Sequence, residues 1–261
     1  MPHALVCADL IEKCHLISSE AVHLLNQTGF YLKERARYAE AEPLLQRAFS
    51  ICEQQLGPQY LDTATSLNRL ALVYDAQGRY VEAEPLYQQA LAIYEQQRGP
   101  QHLDTANSLN HLAALYVRQG KYEKAEPLYL RALRIWEQQL GPEHPDVAYP
   151  LNGLANLYKE QGKYAEAEPL YLHALHTRKQ TLGLEHPDTA ETMHDLARLR
   201  EALGNSEEAR TWYARALAIR EQALGAPHPQ TTETRKRFIA LLHAMRRHEE
   251  AAQLEAAQSE P

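Results

Sequence analysis

Glycine placement constrains this chain more than any other feature of its sequence. The 261 residues include 11 glycines, and nine of these are spaced 21 residues apart. Prolines recur at twice that spacing. A fixed period of this size predicts one internal repeat of 42 residues made of two halves, in place of independent domains. The nine glycines are Gly57, Gly78, Gly99, Gly120, Gly141, Gly162, Gly183, Gly204 and Gly225, and one proline series is Pro43, Pro85, Pro127 and Pro169.

One repeat unit reads as two helices. In the unit that begins at Gly141, apolar side chains between Val147 and Gln161 follow the i, i+3, i+4, i+7 spacing of a helical face. Gly162 predicts the end of this helix, because glycine adopts the left-handed conformation at the C′ position without a Cβ clash. A second helical stripe continues to Gly183. The unit therefore predicts an antiparallel helical hairpin with helices of about 16–18 residues.

Local signals predict the helix ends and one irregularity. Asp146 follows the breaker-rich stretch after Gly141 and is expected to cap the first helix of its unit. Ser18 or Ser19 is expected to cap the helix that opens the repeats. Pro169 falls shortly after the start of a second helix, where its missing N–H costs least, so we expect a small bend there.

The pattern Leu67…Leu70-Ala71…Tyr74…Gly78…Tyr80…Ala83…Tyr87…Ala90 is made of positions that recur in phase, and it resembles the tetratricopeptide repeat. The second copy carries the pattern, and its period of 42 residues adds roughly one turn to each helix. The motifs Leu-Asn-x-Leu-Ala, Gly-Lys-Tyr-x-x-Ala-Glu-Pro-Leu-Tyr and Leu-Gly-x-x-His-Pro-Asp look like the repeats of kinesin light chain and its bacterial relatives. The resemblance implies an all-α fold, a right-handed α-solenoid of antiparallel helix pairs.

The predicted organisation is one capping helix followed by six repeat units. Residues 1–18 form the capping helix, in which residues 3–16 close the open end of the stack. Polar substitutions in the copy that includes Arg200, Ser206 and Thr211 predict a solvent-facing terminal unit. The solenoid covers 19–261, with units at about 19–56, 57–98, 99–140, 141–182, 183–224 and 225–258.

Composition argues against several classes of protein. The formal net charge of −7 disfavours a general nucleic-acid or anionic-membrane binder, since both need a basic surface. No apolar run reaches the roughly 18–20 residues that cross a bilayer, and the amino terminus does not resemble a signal peptide. Cys7, Cys14 and Cys52 form no Cys-x-x-Cys pair, which is typical of buried thiols in a reducing compartment. We therefore expect a cytoplasmic protein without nucleic-acid or membrane partners.

No catalytic or metal-binding motif survives inspection. His-Pro-Asp at 144–146 and 186–188 repeats with the period and belongs to the turns between units. Gly120-Lys121 is followed by tyrosine, where a phosphate-binding loop needs serine or threonine. His248 lacks the second histidine of a zinc protease helix. We expect no catalytic residue, no metal, no cofactor and no enzymatic activity.

Function is expected on the first helix of each unit, which a right-handed stack of helix pairs turns toward its concave surface. One row of positions there carries asparagines 42 residues apart, for which the sequence shows no packing reason. The resemblance implies that Asn68, Asn110 and Asn152 line a peptide groove. An amide can donate to and accept from a peptide backbone of any sequence. Recent duplication of the repeat is the alternative explanation. The row reads Asn26, Asn68, Asn110, Asn152, His194 and Lys236.

Neighbouring rows vary from copy to copy and are expected to set selectivity. Their acidic and basic members balance, so the groove has no dominant charge. Asn152, Asn156, Lys159 and Arg198 form the nearest approach to an anion pocket. In addition to the four asparagines of that row, the predicted peptide-binding residues are Asn107, Tyr149, Asn156, Lys159, Glu191, His194 and Arg198.

The sequence therefore favours a non-enzymatic scaffold that binds an extended peptide or a partner protein in its concave groove. Two alternatives stay open. The repeats could be the sensor region of a bacterial signalling NTPase, detached from its nucleotide-binding module. They could also belong to a structural protein that forms homo-oligomers through the apolar N-terminal end near residues 3–16.

Overall fold

The computed structural model describes residues 17–55 and 59–256, and this part of the chain is built from helices. It forms twelve α-helices and one short 3-10 helix, Pro145–Val147, and contains no strand within those ranges. The helices are α1 (Ser19–Glu34), α2 (Tyr38–Gln55), α3 (Leu61–Ala76), α4 (Tyr80–Gln97), α5 (Leu103–Arg118), α6 (Tyr122–Leu140), α7 (Ala148–Glu160), α8 (Tyr164–Thr181), α9 (Pro187–Ala202), α10 (Ser206–Leu224), α11 (Pro229–Ala244) and α12 (His248–Ala256).

The chain divides into two compact units, Met1–Ile135 and Trp136–Pro261, and the boundary lies within α6. In the first unit α1 packs on α2 and α3 on α4, and α2 and α4 each contact the next pair. In the second unit the pairs are α7 with α8, α9 with α10, and α11 with α12. Contacts also join neighbouring first helices, α1 with α3, α3 with α5, and α7 with α9. The all-α fold of stacked helix pairs is thus confirmed, whereas the proposed capping helix lies mostly outside the described residues.

Glycine ends the first helices as its spacing predicts. Gly78 follows α3 with φ +76°, a conformation that favours glycine because any Cβ clashes there. The Gly78 N–H donates to the Asp75 carbonyl (3.0 Å), and the Arg79 N–H donates to the Tyr74 carbonyl (2.8 Å). These bonds satisfy carbonyls that the end of a helix leaves without a partner, so the glycine fixes both where α3 stops and how α4 begins.

Two residues other than glycine adopt the same left-handed conformation. Ala36 has φ +55° and Arg246 has φ +60°. Their positions continue the 21-residue series, one step before Gly57 and one step after Gly225. The repeat geometry therefore imposes a positive φ at both ends of the array, even where the sequence has lost the glycine.

Replacing Arg246 by glycine is expected to raise the free energy of unfolding by about 1 kcal/mol, because the left-handed conformation strains a residue that carries a Cβ. Chemical denaturation measures the change. Arg246→Ala is the matched control, since it removes the charge and keeps the strain, and it should leave stability nearly unchanged. A similar gain in the alanine variant would assign the effect to charge and contradict the prediction.

Histidine, and not aspartate, caps the first helices of the later units. His144 occupies the N-cap position before the 3-10 turn that leads into α7, and its Nδ1 accepts from the Asp146 N–H at 3.3 Å. The same bond, in which the histidine Nδ1 accepts from the N–H two residues later, is made by His102, His186 and His228. The prediction that Asp146 is the cap was wrong, because its own N–H is one of the donors that the cap satisfies. The prediction for Ser18 is confirmed, since its Oγ accepts from the Ala21 N–H at 3.2 Å.

Several tyrosines pack in the interior of the pairs. Tyr87 and Tyr171 are fully buried, and Tyr171 packs with Ala155 and Ala167. Tyr74 and Tyr116 lie at the edge, where their hydroxyls accept from Gln46 (3.0 Å) and from Gln88 (3.1 Å). Pro43, Pro85, Pro127 and Pro169 lie inside the second helices, where the expected bend stays a prediction. Across the described ranges, no helix combines the length and the apolar character needed to cross a membrane.

Candidate functional site

Two asparagines of the row join neighbouring first helices. Asn26 Nδ2 of α1 donates to Ser66 Oγ of α3 at 2.9 Å. Asn152 Nδ2 of α7 donates to Thr192 Oγ1 of α9 at 3.1 Å. Both asparagines are buried, and the Oδ1 atom of each is buried without a partner in the described structure. The expectation that the row has no packing role was therefore wrong, because these amides hold adjacent repeats together.

The two intervening asparagines have different surroundings. The amide of Asn68 lies 3.2–3.3 Å from His111 Nδ1 of the next first helix. Burial, with Lys33 and Arg118 nearby, lowers the pKa of His111 to about 4, so its ring is neutral at physiological pH. The Oδ1 atom of Asn110 is buried and has no partner in the described residues, whereas Asn107 is exposed. A role for these side chains in binding a peptide stays a prediction.

His194 takes the place of asparagine in the fifth copy and makes an equivalent bond. Its Nδ1 lies 3.1 Å from Thr234 Oγ1 of α11, and its ring meets Tyr213 edge-on at 5.4 Å between centroids. Burial, followed by the nearby guanidinium of Arg220, lowers the pKa of His194 to about 3. The neutral imidazole is thus a buried part of the contact between α9 and α11.

A second polar chain crosses from α8 through α7 to α9. The Tyr171 hydroxyl donates to Asn156 Oδ1 at 2.9 Å, and Asn156 Nδ2 donates to Asp195 Oδ2 at 3.3 Å. Burial, with the nearby Glu191 carboxylate, raises the pKa of Asp195. Asn156 is half-buried, and both ends of its amide are engaged in the fold.

Arg178 of α8 organises the exposed residues at the amino-terminal ends of α7 and α9. Its side chain is buried, and Nη1 donates to Glu191 Oε2 at 2.9 Å, to Thr192 Oγ1 at 3.0 Å and to a main-chain carbonyl. The guanidinium also lies 4.9 Å from the centroid of the Tyr149 ring. The Tyr149 hydroxyl donates to Asp188 Oδ2 at 3.0 Å, so both ends of this half-exposed tyrosine are fixed.

Lys159 and Arg198 line a cavity of about 340 Å³ near the carboxyl ends of α7 and α9, and Arg237 from the middle of α11 completes it. Asn152 and Asn156, which the sequence grouped with them, instead make the bonds between helices described above. Lys159 is only 7% exposed, and burial lowers its pKa, with the Arg198 charge adding to the effect. The cavity is lined by Lys159, Glu160, Tyr164, Arg198, Glu201, Ala202 and Arg237.

Arg178 and Arg237 are the main residues that the sequence analysis missed. Arg178 and Arg220 occupy a second-helix position that is Cys52, Tyr94 and Trp136 in the earlier copies, so a change from apolar to cationic was visible. Arg237 belongs to no row that includes Lys159, because the two positions are not separated by a multiple of the repeat period. In the described part of the chain, no group of three or more His, Cys, Asp or Glu side chains is placed to bind one metal ion.

Family comparison agrees with this architecture. The tetratricopeptide repeat profile matches residues 20–96, 76–135, 104–180, 150–222 and 188–256. These matches together cover most of the sequence, so the chain belongs to the tetratricopeptide repeat family. A comparison with curated protein sequences gave no match.

Solved structures include relatives of the expected type. The chain is similar to BtubC (BKLC) from P. vanneervenii, with TM-score 0.63 and 24% identity over 88% of this chain and 92% of that one. It is also similar to putative kinesin light chain repeats from P. anserina, with TM-score 0.61 and 26% identity over 79% and 99% of the two chains. NprR in complex with its cognate peptide NprX gives TM-score 0.69 and 18% identity over 96% and 71%. The predicted likeness to kinesin light chain repeats is confirmed.

Proposed function

We propose that this protein is a non-enzymatic cytoplasmic interaction module that binds an extended segment of a peptide or partner protein. The binding surface is formed by the first helices of the second unit. The observation that carries the proposal is the fixed display of Tyr149 and Glu191, two accessible side chains held by contacts from within the fold. Side chains that are already ordered lose less entropy when a ligand binds.

The sizes of the interaction free energies indicate which of these residues should contribute most to peptide binding. A neutral hydrogen bond contributes about 0.5–1.5 kcal/mol, while ordering a flexible peptide costs about 2–5 kcal/mol or more. Amides alone are therefore insufficient, and an apolar anchor is needed. Tyr149 is 40% exposed, stacks on Arg178 and offers its free face to a ligand, which suits an aromatic anchor. We expect affinities near the micromolar range, about −8 kcal/mol.

Membership of the tetratricopeptide repeat family supports a binding role in general terms, and the NprR structure shows a similar fold with a peptide bound. Nothing in the described geometry favours the sensor alternative over this proposal. Residues 3–16, the proposed surface for self-association, lie outside the described residues, so that alternative stays a prediction. The absence of nucleic-acid and membrane partners is part of the same proposal.

A peptide array followed by calorimetry tests this function. The array should yield sequences that bind with micromolar affinity, and Tyr149→Ala should weaken that binding about tenfold or more, as expected for an anchor. Leu172→Ala is the matched control, since Leu172 is similarly exposed at 45% but lies on the second helix α8. Equal affinity of both variants and the unmodified protein would contradict the proposed surface.

A further inference from the structure

The cavity near the carboxyl ends of α7 and α9, which Arg237 of α11 also lines, is distinct from the asparagine row. Its lining includes three cationic side chains, one from each helix, and the two acidic side chains Glu160 and Glu201. The lining therefore carries one positive charge in excess. Tyr164 adds an aromatic ring to the lining.

Two of the cations converge on a single oxygen. Glu160 Oε1 lies 3.2 Å from Lys159 Nζ and 3.3 Å from Arg198 Nη2. The protein's own carboxylate thus marks a position where an oxyanion accepts from two helices at once. Such charge-assisted bonds are about twice as strong as neutral ones.

Glu160 is well suited to be displaced from this position. Its side chain is 43% exposed, so it can turn into solvent, whereas the Lys159 side chain is only 6% exposed and cannot follow it. An ion pair with one exposed partner contributes little to stability, so its exchange for another anion costs little. A buried ammonium left without a partner is unfavourable, so the Lys159 side chain is more stable when an oxyanion is paired with it.

Glu201 and Arg237 each bond to a residue outside the cavity lining. Glu201 Oε2 accepts from the Tyr213 hydroxyl at 3.0 Å. Arg237 donates through Nε to Glu233 at 2.6 Å, which leaves its other nitrogens free to face the cavity that it lines. When Glu160 turns away, the cavity lining carries three cations and one carboxylate, and Asp195 Oδ1 lies 3.7 Å from Arg198 Nη1.

We propose that this cavity is an oxyanion pocket, which takes a carboxylate or phosphate group of the bound peptide in place of Glu160. The inference rests on the proposed function for the origin of the group, which arrives as part of a peptide. The pocket itself depends only on Lys159, Arg198 and Arg237. It makes the second unit selective for peptides that present an acidic or phosphorylated residue beside the surface around Tyr149.

Two small probes test the pocket without any peptide. Inorganic phosphate and acetate are titrated at constant ionic strength into the ¹⁵N-labelled full chain, and NMR shifts are followed. We expect saturable shifts at the carboxyl ends of α7 and α9 and around Arg237 of α11, with Lys159→Met weakening binding about tenfold or more. Glu160→Gln should tighten binding about two- to fivefold, because it removes the competing carboxylate. A response to phosphate but not to acetate assigns the pocket to phosphorylated residues, and a response to both assigns it to oxyanions in general.

Lys179→Met is the matched control, since Lys179 is exposed on α8 away from the cavity lining. The control should bind both probes like the unmodified protein. If Lys159→Met fails to fold, Arg198→Gln takes its place and should show the same loss. Unsaturable shifts, or equal affinity in Lys159→Met and Lys179→Met, would overturn the pocket. If the selected peptides bind Lys159→Met with the same affinity as the unmodified protein, the pocket is overturned and the proposed function stands. If anions bind but no peptide does, the proposed function is overturned and the pocket stands.

Discussion

Replacing Tyr171 by alanine is expected to lower the free energy of unfolding by about 3–5 kcal/mol, the range for truncating a buried aromatic residue. Tyr171 is fully buried and packs with Ala155, Leu196 and Leu199, which belong to two different helix pairs. The cavity left by alanine cannot close without moving α7 against α9. Urea denaturation followed by circular dichroism measures the loss.

Tyr171→Phe is the control for this prediction. It keeps the ring and removes only the hydroxyl that donates to Asn156 Oδ1, so we expect a loss of about 1 kcal/mol. A loss in Tyr171→Ala no larger than in Tyr171→Phe would mean that the ring contributes little. The contact between the two pairs would then have to rest on other residues.

The stability of the second unit is expected to fall between about pH 7.5 and pH 5 by about 2 kcal/mol because of His194 alone. The pKa of His194 in the folded protein is lowered to about 3, mainly by burial, whereas an unfolded histidine titrates near pH ~6.5. The unfolded chain therefore gains a proton in this interval while the folded chain does not. Stability is fully present above the unfolded pKa and is lost as the pH falls toward the folded pKa.

His194→Asn isolates this effect. Asparagine occupies the same place in four other copies, and Asn152 shows that it can bond to the threonine of the next first helix. Denaturation midpoints at several pH values should show a shallower acid loss in His194→Asn than in the unmodified protein. Because Asp195 and other groups titrate equally in both proteins, their contributions cancel. Parallel pH profiles would contradict the assignment to His194.

Periodicity was sufficient to predict the helix pairs. Gly78 and Gly162 ended helices because a positive φ is a local requirement that glycine meets, and local requirements can be read from one sequence. The N-cap could not be predicted in the same way, since aspartate is the commoner cap and only the geometry shows that His144 accepts the bond.

Contacts between repeats were beyond the sequence pattern. Asn152 bonds to a residue 40 positions on, and Lys159, Arg198 and Arg237 meet in steps of 39, not 42. Residues from different rows come together because neighbouring first helices are offset by about one helical turn. Grouping positions that are 42 residues apart therefore places residues that line one cavity in different rows. A row of hydroxyls at Ser66, Thr192 and Thr234 was the available sign that the asparagines have partners within the fold.

Hydrogen exchange of the full chain, with and without a peptide selected on the array, tests the central claim most directly. We expect slower exchange of the backbone N–H groups of α7, α9 and α11 when peptide is bound, with those of α8 and α10 unchanged. Tyr149→Ala should reduce this protection at the same peptide concentration. Protection confined to α8 and α10, or no protection under saturating peptide, would contradict a binding surface on the first helices of the second unit.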